Sequence, residues 1–154
     1  MTKFILMLIG AMQRIPHDLV ALLARISIGT VFFRSGMLKI EGWKDGTTLA
    51  LFKDEYRLPL IPTEIAAYMA TAAELALPPL LFIGLFTRFA GFALLIMTLV
   101  IEIFVYPNAF DTHGVWAVSL LYLIKYGAGT VSIDHWLEQR VRGARAVMAA
   151  PAAE

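Results

Sequence analysis

Four long apolar stretches make up most of this chain of 154 residues. Their flanking residues place them at about 19–38, 65–86, 89–105 and 113–127. A helix that crosses a lipid bilayer needs about 20 residues, with a range of about 17–25. Because backbone polar groups in hydrocarbon must be satisfied within their own segment, each stretch is expected to form a helix. The sequence therefore predicts an integral membrane protein.

Composition supports this interpretation and excludes several functions. Hydrophobic residues make up 59% of the chain and charged residues 16%, whereas soluble domains average about 45–50% and about 25%. The net charge of +1 gives no sign of a nucleic-acid-binding surface. The chain contains no cysteine, which excludes disulfides, thiolate metal sites and cysteine-held iron–sulfur clusters within it.

Short links predict that neighbouring helices run antiparallel. Residues 87–88 separate the second and third stretches, and residues 107–110 separate the third and fourth. The expected fold is all-α: an up-down four-helix bundle that forms a single domain of residues 1–154.

Two further helices are expected outside the bundle. Residues 1–15 are apolar but lack the small-residue cleavage pattern of a signal peptide. We expect an uncleaved helix that lies on the membrane surface, with a signal-like segment as the alternative. The loop after the first stretch carries an apolar patch at residues 49–52, which predicts a short helix at the mouth of the bundle.

Lysine and arginine residues near the ends of the stretches predict the orientation, because they accumulate on the cytoplasmic side. Six lie on the side of the termini and four on the other side. The first group is Lys3, Arg14, Arg88, Arg140, Arg142 and Arg145, and the second is Lys39, Lys44, Lys53 and Arg57. Both termini are therefore expected in the cytoplasm.

Charged side chains inside the apolar stretches are the main indication of function, because a charge in hydrocarbon is costly unless it is paired or faces a polar cavity. At about 1.5 Å of rise per residue, these charges fall at two depths. The predicted inner cluster is Arg25, Glu74 and Lys125, and the predicted outer cluster is Arg34, Glu102 and His113. Each cluster places a carboxylate beside an arginine, which makes buried charge tolerable.

Three motifs occur in a fixed order along the chain. The first, at residues 32–39, has aromatic residues followed by Gly36 and Lys39. The second begins at Glu74 and ends with the five residues Gly84-Leu85-Phe86-Thr87-Arg88. The third has the pattern GxGxxSxD, formed by Gly127, Gly129, Ser132 and Asp134. Together they resemble the DoxX family over residues 18–137.

The resemblance implies a four-span protein of the bacterial inner (plasma) membrane. It associates the chain with quinone-linked oxidation of small sulfur compounds and with oxidative-stress or metal-stress systems. The implied role is a membrane subunit that connects a partner oxidoreductase to the quinone pool. The resemblance does not establish catalysis, and a homo-oligomer is compatible with it.

A quinone is the expected cofactor, and the outer cluster is its candidate site. Arg34 would polarise a quinone carbonyl, while His113 or Glu102 would deliver protons. The aromatic residues expected nearby are Phe32, Phe33, Trp116 and Tyr106, and the phenylalanine and tryptophan rings would pack against the ring faces of the quinone. A metal site at Asp111 and His113 is not favoured, because three ligands with defined geometry are not evident. No haem is expected either.

Structural roles remain the alternative for each of these residues. The inner cluster would then hold helices together, and Lys39 and Arg88 would be anchors whose charged ends reach the membrane surface. Three functions stay open at this point. A quinone-linked component predicts a lateral apolar opening, and a non-catalytic anchor or assembly subunit predicts fully paired charges without a cavity. A carrier of small solutes or metals predicts a water-filled path through the bundle.

Overall fold

The computed structural model describes the backbone of residues 2–149 and the side chains of residues 2–143. Arg145, which contributed to the predicted orientation, lies outside the described side chains. Within the described range every regular element is helical, so the all-α prediction is confirmed. The elements are α1 (Thr2–Gln13), α2 (His17–Asp45), α3 (Thr47–Leu51), a π-helical turn (Phe52–Tyr56), α4 (Thr63–Ile83), α5 (Thr87–Val100), a second π-helical turn (Ile101–Val105), α6 (Phe110–Tyr126) and α7 (Ile133–Ala149).

Three helical segments are long and apolar enough to cross a membrane. They are α2, α4 and the segment from Thr87 to Val105, which joins α5 to the second π-helical turn. Helix α6 is apolar but has only 17 residues. The membrane helices are therefore present, and a fourth crossing by α6 stays a prediction.

Four helices pack into a bundle: α2 lies against α4 and α6, and α5 lies against α4 and α6. Its core consists of side chains that are almost completely buried: Ala21, Ile28, Phe32, Leu81, Ala90, Leu94, Leu120 and Leu123. The outer surface of the bundle is also apolar. Leu23, Phe92 and Val118, for example, are each more than half exposed. Such a continuous apolar exterior is expected where lipid, rather than water, surrounds the protein.

Glycines bring α2 and α4 into close contact. A methyl group on Gly29 would lie 2.6 Å from the ring of Phe82, and one on Gly36 would lie 3.0 Å from the backbone of Glu74. Small residues at such positions allow membrane helices to approach closely. The approach at Gly36 brings the backbone of Glu74 against α2.

The two helices predicted outside the bundle are both present. Helix α1 is separate from α2, and none of its residues is buried; its location on the membrane surface stays a prediction. In the first loop, α3 continues into the first π-helical turn, where Phe52 is buried against Ala66 and Ala67 of α4. This loop helix therefore packs on the bundle, at the end that we call the loop end.

The opposite end of the bundle, which we call the closing end, is held by hydrogen bonds between distant turns. The carboxylate of Asp134 accepts hydrogen bonds from the backbone N–H groups of Phe86 (2.8 Å) and Thr87 (2.9 Å). The backbone N–H of Asp134 also donates to the carbonyl of Gly84, at 2.8 Å. The α4–α5 turn and the start of α7 are thereby joined. Asp134 acts as the cap of α5, whose first N–H groups lack partners within the helix.

A second set of hydrogen bonds ties α2 to the same end. Asp18 accepts hydrogen bonds from the backbone N–H of Thr130 (2.8 Å) and from its hydroxyl (2.7 Å). These contacts join the beginning of α2 to the turn before α7. Arg88 donates to the carbonyls of Ile124 and Lys125 at the end of α6. Arg88 is thus a helix-capping residue, in addition to lying at the end of a predicted span.

Candidate functional site

A buried ion pair lies between α2 and α4. The ammonium of Lys39 is 2.8 Å and 3.0 Å from the two carboxylate oxygens of Glu74, and it also donates to the hydroxyl of Ser35 at 2.9 Å. Lys39 is 6% exposed and Glu74 is 2% exposed. Removing one partner of such a pair leaves an uncompensated buried charge. Pairing therefore explains how both charges are accommodated inside a membrane bundle.

The predicted inner cluster is wrong, because neither Arg25 nor Lys125 pairs with Glu74. Arg25 is buried but donates to the backbone carbonyl of Val131 at 2.7 Å, at the closing end. Lys125 is exposed, with its ammonium 4.9 Å from the centre of the Tyr126 ring. The predicted depths were also wrong. Glu74 lies beside Gly36 of α2, about three helical turns along that helix from Arg25, whereas Arg25 and Lys125 both lie near the closing end.

The interpretation of Lys39 as a surface anchor is also wrong. Helix α2 extends to Asp45, well beyond the predicted end of the first stretch at residue 38. Lys39 therefore lies inside the helix rather than at its end. Gly36, one turn earlier, allows α4 to approach closely enough for Glu74 to reach the ammonium.

The structure brings together part of the predicted outer cluster. Nδ1 of His113 lies 2.6 Å from a carboxylate oxygen of Glu102, and the His113 ring is 4.9 Å from the ring of Trp116. Arg34 is exposed elsewhere on α2, so its place in the cluster is wrong. Arg34 follows the buried Phe32 by two residues, which turns it by roughly 200° around the helix.

Of the aromatic residues predicted near this pair, Phe33 is the one that lies elsewhere. Phe32 packs against Trp116, with ring centres 5.5 Å apart, and the ring centre of Tyr106 is 6.5 Å from that of His113. Phe33 packs against Phe82 of α4 at 6.2 Å. Adjacent residues on a helix point about 100° apart. The one-residue difference therefore moves Phe33 away from His113.

An apolar groove of about 310 Å³ lies between α4 and α5, below the first loop. Its apolar lining includes Leu58, Met69, Ala73, Leu77, Ile96 and Met97. Met69 and Ile96 are about half exposed, so the groove opens on the lateral surface of the bundle. Its polar lining is confined to Tyr56 and Glu74. The groove is therefore an apolar slot with a buried carboxylate at its inner wall.

A smaller cavity of about 90 Å³, which we call the polar chamber, adjoins the groove. Tyr56, Glu74 and Ile101 line both spaces. The remaining lining of the polar chamber is Val31, Phe32, Ser35, Tyr106, His113 and Trp116. The chamber thus lies between the Lys39–Glu74 pair and the His113–Glu102 pair.

Two tyrosines of the loop end supply hydroxyl groups to this region. Burial, together with the nearby charges of Glu74 and Glu55, raises the pKa of Tyr56 to about 12. Tyr106 donates a hydrogen bond to Glu55, and this bond raises the pKa of Tyr106 well above its ordinary value. Both phenols therefore carry their protons at neutral pH and can donate hydrogen bonds.

Comparison with known proteins places the chain in a family. The DoxX family model matches residues 20–107, which is more than half of the chain. The chain belongs to the DoxX family. A relative from Haemophilus influenzae is 32% identical over 133 residues, covering 80% of this chain and 86% of the relative, and is described as an uncharacterized protein. No solved structure matches the chain.

In this DoxX protein the motif residues fall into two groups. Gly36, Lys39 and Glu74 form the buried ion pair and the close helix contact beside it. The others lie at the closing end, where they form turns, caps and close contacts: Gly84, Arg88, Gly127, Gly129, Ser132 and Asp134. The third motif begins beyond the residues that the family model matches.

Sequence reasoning missed the pairing of Lys39 with Glu74 and the presence of Tyr56 and Ser35 at the site. The motifs contained a signal for the pairing of Lys39 with Glu74, because Lys39 ends the first motif and Glu74 begins the second. Ser35 lies one helical turn before Lys39, a spacing at which side chains on a helix meet. Tyr56 lies in an irregular loop, and no pattern in the sequence predicts where it docks.

Among the described residues, no group of three or more histidine, aspartate or glutamate side chains is placed to hold a metal ion.

Proposed function

We propose that this DoxX protein is a membrane component of an oxidoreductase system that binds a quinone in the apolar groove between α4 and α5. In this role it connects a partner enzyme to the quinone pool of the bacterial inner membrane, with both termini in the cytoplasm. The observation that carries the proposal is the groove itself, which opens laterally and ends on the buried Lys39–Glu74 pair.

The chemistry of the groove fits a quinone. Small-molecule sites are usually apolar clefts of about 300–1,000 Å³ with a few convergent polar groups. Here the volume is about 310 Å³, and the polar groups are the Tyr56 hydroxyl and the carboxylate of Glu74. A lateral opening between membrane helices leaves room for an apolar tail in the lipid. The groove therefore suits a flat polar ring attached to a long hydrocarbon chain.

The residues assigned to the site differ from the sequence-based hypothesis. Lys39 replaces Arg34 as the cation, since it holds Glu74 at the groove wall. Tyr56 supplies a neutral hydroxyl donor for a carbonyl oxygen. Glu102 and His113 lie across the polar chamber and are placed for proton exchange rather than for direct contact with the ring.

A quinone supplies the redox chemistry that the chain lacks, because its ring takes up two electrons and two protons. The chain has no cysteine to hold an iron–sulfur cluster or to exchange disulfides. Electrons would therefore come from a partner oxidoreductase. The contribution of this chain is to hold the ring, exclude bulk water and present protonated groups to it.

Direct binding of a short-chain quinone to the purified protein in lipid nanodiscs tests the proposal. Glu74→Gln should weaken binding by about tenfold or more, because the charge of Lys39 would then lack its partner. Met97→Trp should weaken it by filling the groove. Arg34→Gln is the matched control, since Arg34 is exposed on the same helix as Lys39, and it should leave the affinity unchanged.

Two results would contradict the quinone site. The first is wild-type affinity in both Glu74→Gln and Met97→Trp. The second is a loss in Arg34→Gln equal to the losses in the two site variants. Thermal unfolding of each variant in the same nanodiscs separates loss of the site from loss of the fold.

A second candidate function is a non-catalytic anchor or assembly subunit. Helix α7 favours it, because Trp136, Leu137 and Val141 are each at least 40% exposed on it. Native mass spectrometry of the gently solubilised protein distinguishes the two functions. A retained quinone-sized ligand supports the first, whereas a stable second polypeptide without such a ligand supports the second.

A further inference from the structure

We propose that the polar chamber holds water and forms a one-sided proton path. The path joins the buried Lys39–Glu74 pair to the aqueous phase at the loop end, through His113 with Glu102 and through Tyr106 with Glu55. This inference goes beyond the quinone site, because it rests on the chamber and its hydrogen bonds and needs no ligand in the groove.

The size and lining of the chamber suit water. A water molecule occupies about 30 Å³ in the liquid and needs about two to four polar partners. The chamber has a volume of about 90 Å³, which is enough for a short chain of water molecules. Polar groups occur on several sides of it: Ser35, Tyr56, Glu74, Tyr106 and His113.

The inner end of the path is the ion pair. Lys39 donates to both carboxylate oxygens of Glu74 and to the oxygen of Ser35. The hydroxyl of Ser35 accepts the bond from Lys39, which leaves its own proton to donate to the carboxylate of Glu74 or to water in the chamber. Water beside Ser35 and Glu74 is therefore in hydrogen-bond contact with a buried charge.

The middle of the path is the imidazole of His113. Nδ1 is held by Glu102 at 2.6 Å, which leaves Nε2 as the second site for a proton. An imidazole can take up a proton on one nitrogen and release one from the other, with no change in its final state. His113 is 6% exposed, so protons reach it through the chamber or through Glu102.

The outer end of the path is the hydrogen bond from Tyr106 to Glu55. Glu55 is exposed, and Tyr106 lines the chamber. When a proton enters, Glu55 first takes it up from the aqueous phase and becomes a carboxylic acid. This acid gives a proton to the Tyr106 oxygen as the Tyr106 hydroxyl, turned toward the chamber, passes its own proton to chamber water. The phenol is neutral before and after the transfer, and one proton has moved inward.

Titratable side chains surround the chamber. Those that face the chamber or its two ends are Lys39, Glu55, Tyr56, Glu74, Glu102, Tyr106 and His113. Three of them are carboxylates, whereas Lys39 is the single ammonium in this set.

The core closes the path toward the other side of the bundle. About two helical turns beyond Glu74, Glu102 and His113, toward the closing end, the bundle is filled by Leu81, Leu94 and Leu120. Each of these side chains is 0% exposed. A tightly packed apolar layer leaves no polar groups for water. The path is therefore open to one aqueous phase, unlike the through-path that a solute carrier needs.

Fluorescence of Trp116 provides a direct test, because its ring is 4.9 Å from that of His113 and a protonated imidazole quenches a neighbouring indole. Trp43→Phe and Trp136→Phe leave Trp116 as the remaining one of three tryptophans. In this background, the full chain in nanodiscs is subjected to rapid pH jumps between about pH 8 and pH 5. We expect emission to fall at low pH, and the response to disappear in His113→Gln.

Blocking the outer end should slow this response. Glu55→Gln and Tyr106→Phe each remove one group of the relay, and each should reduce the rate of the emission change by about tenfold or more. Glu64→Gln and Tyr126→Phe are matched controls, because both residues are exposed and lie away from the chamber. They should leave the rate unchanged.

Two outcomes overturn the proposal: emission of Trp116 that does not change with pH, or a response whose rate is unaltered in both Glu55→Gln and Tyr106→Phe. Glu55 is exposed, so its variant tests the path even where Tyr106→Phe fails to fold. Quinone affinity is measured on Glu55→Gln, a residue that is exposed and does not line the groove, and should be unchanged. Failure of the quinone site and failure of the proton path therefore give different results.

Discussion

The two ends of the bundle use charged residues in different ways. At the closing end, Asp18 and Asp134 accept hydrogen bonds from backbone N–H groups of distant turns. At the loop end, Lys39 and Glu74 bind each other, as do His113 and Glu102, and both pairs border cavities. Carboxylates that bind backbone N–H groups hold turns in place. Carboxylates that bind other titratable groups beside a cavity can exchange protons or bind a ligand.

The difference also separates the motif residues of the family by role. The residues of the second and third motifs that lie at the closing end hold the turns between helices in place. Among the charged motif residues, Glu74 lines both the groove and the chamber and is bound by Lys39, whereas Arg88 and Asp134 line a pocket at the closing end. Variants at the closing end should therefore affect stability alone, whereas variants at the loop end should also affect ligand binding.

Lys39→Met is expected to have the largest effect on stability. It leaves Glu74 buried without a partner, which typically costs about 3–5 kcal/mol. The double variant Lys39→Met with Glu74→Leu should recover most of this loss, since two apolar side chains fill the same space without charge. Reversible unfolding in lipid-detergent mixtures measures both free energies.

Equal stability of the single and the double variant would contradict this account of the loop end. In the double variant, stability and function should separate. The fold would be kept, while quinone binding would be lost.

Gly84→Ala should be the most damaging small substitution at the closing end. Gly84 has a φ of 67°, and a methyl group there would lie 2.0 Å from Nη1 of Arg25. Strain of the left-handed backbone and the clash together should cost about 2–4 kcal/mol. Gly46→Ala is the control, because Gly46 also has a positive φ of 84° but has nothing within 4 Å. It should cost only about 1 kcal/mol, and thermal unfolding in nanodiscs compares the two.

If the two glycine variants unfold at the same temperature, the close approach of Arg25 and Ser132 to Gly84 does not contribute to stability. The prediction concerns packing alone. Quinone affinity of the folded fraction should therefore be unchanged in both variants.

Asp134→Ala is expected to have the smallest of the three effects. It removes the two hydrogen bonds that cap α5, a loss of about 1–2 kcal/mol. Glu138→Ala is the control on the same helix. Its partner Arg142 lies 2.5 Å away, but both side chains are more than half exposed, and exposed pairs contribute about 0–1 kcal/mol. Hydrogen exchange of the first turn of α5 should increase in Asp134→Ala and stay unchanged in Glu138→Ala.

Several features follow from the sequence alone because they depend on local composition. Apolar stretches about as long as a membrane is thick predict helices, and the structure contains helices in all four. The glycines of the third motif end α6, with Gly127 and Gly129 at positive φ. The apolar patch at residues 49–52 predicts the helix in the first loop. The general requirement that a charge buried in lipid be paired also follows from the sequence.

Tertiary structure alone decided which charges meet. The level at which two residues meet depends on how neighbouring helices are shifted along their axes, and the direction of a side chain depends on how its helix is rotated. Glu74 lies level with Lys39 and not with Arg25 or Lys125. Arg34 points away from His113 because of the rotation of α2. The groove and the chamber were likewise not deducible, since a cavity exists only where surfaces from several helices and a loop come together. Close packing at Gly36 sets the distance between α2 and α4, and that distance determines which pair of charges can bind.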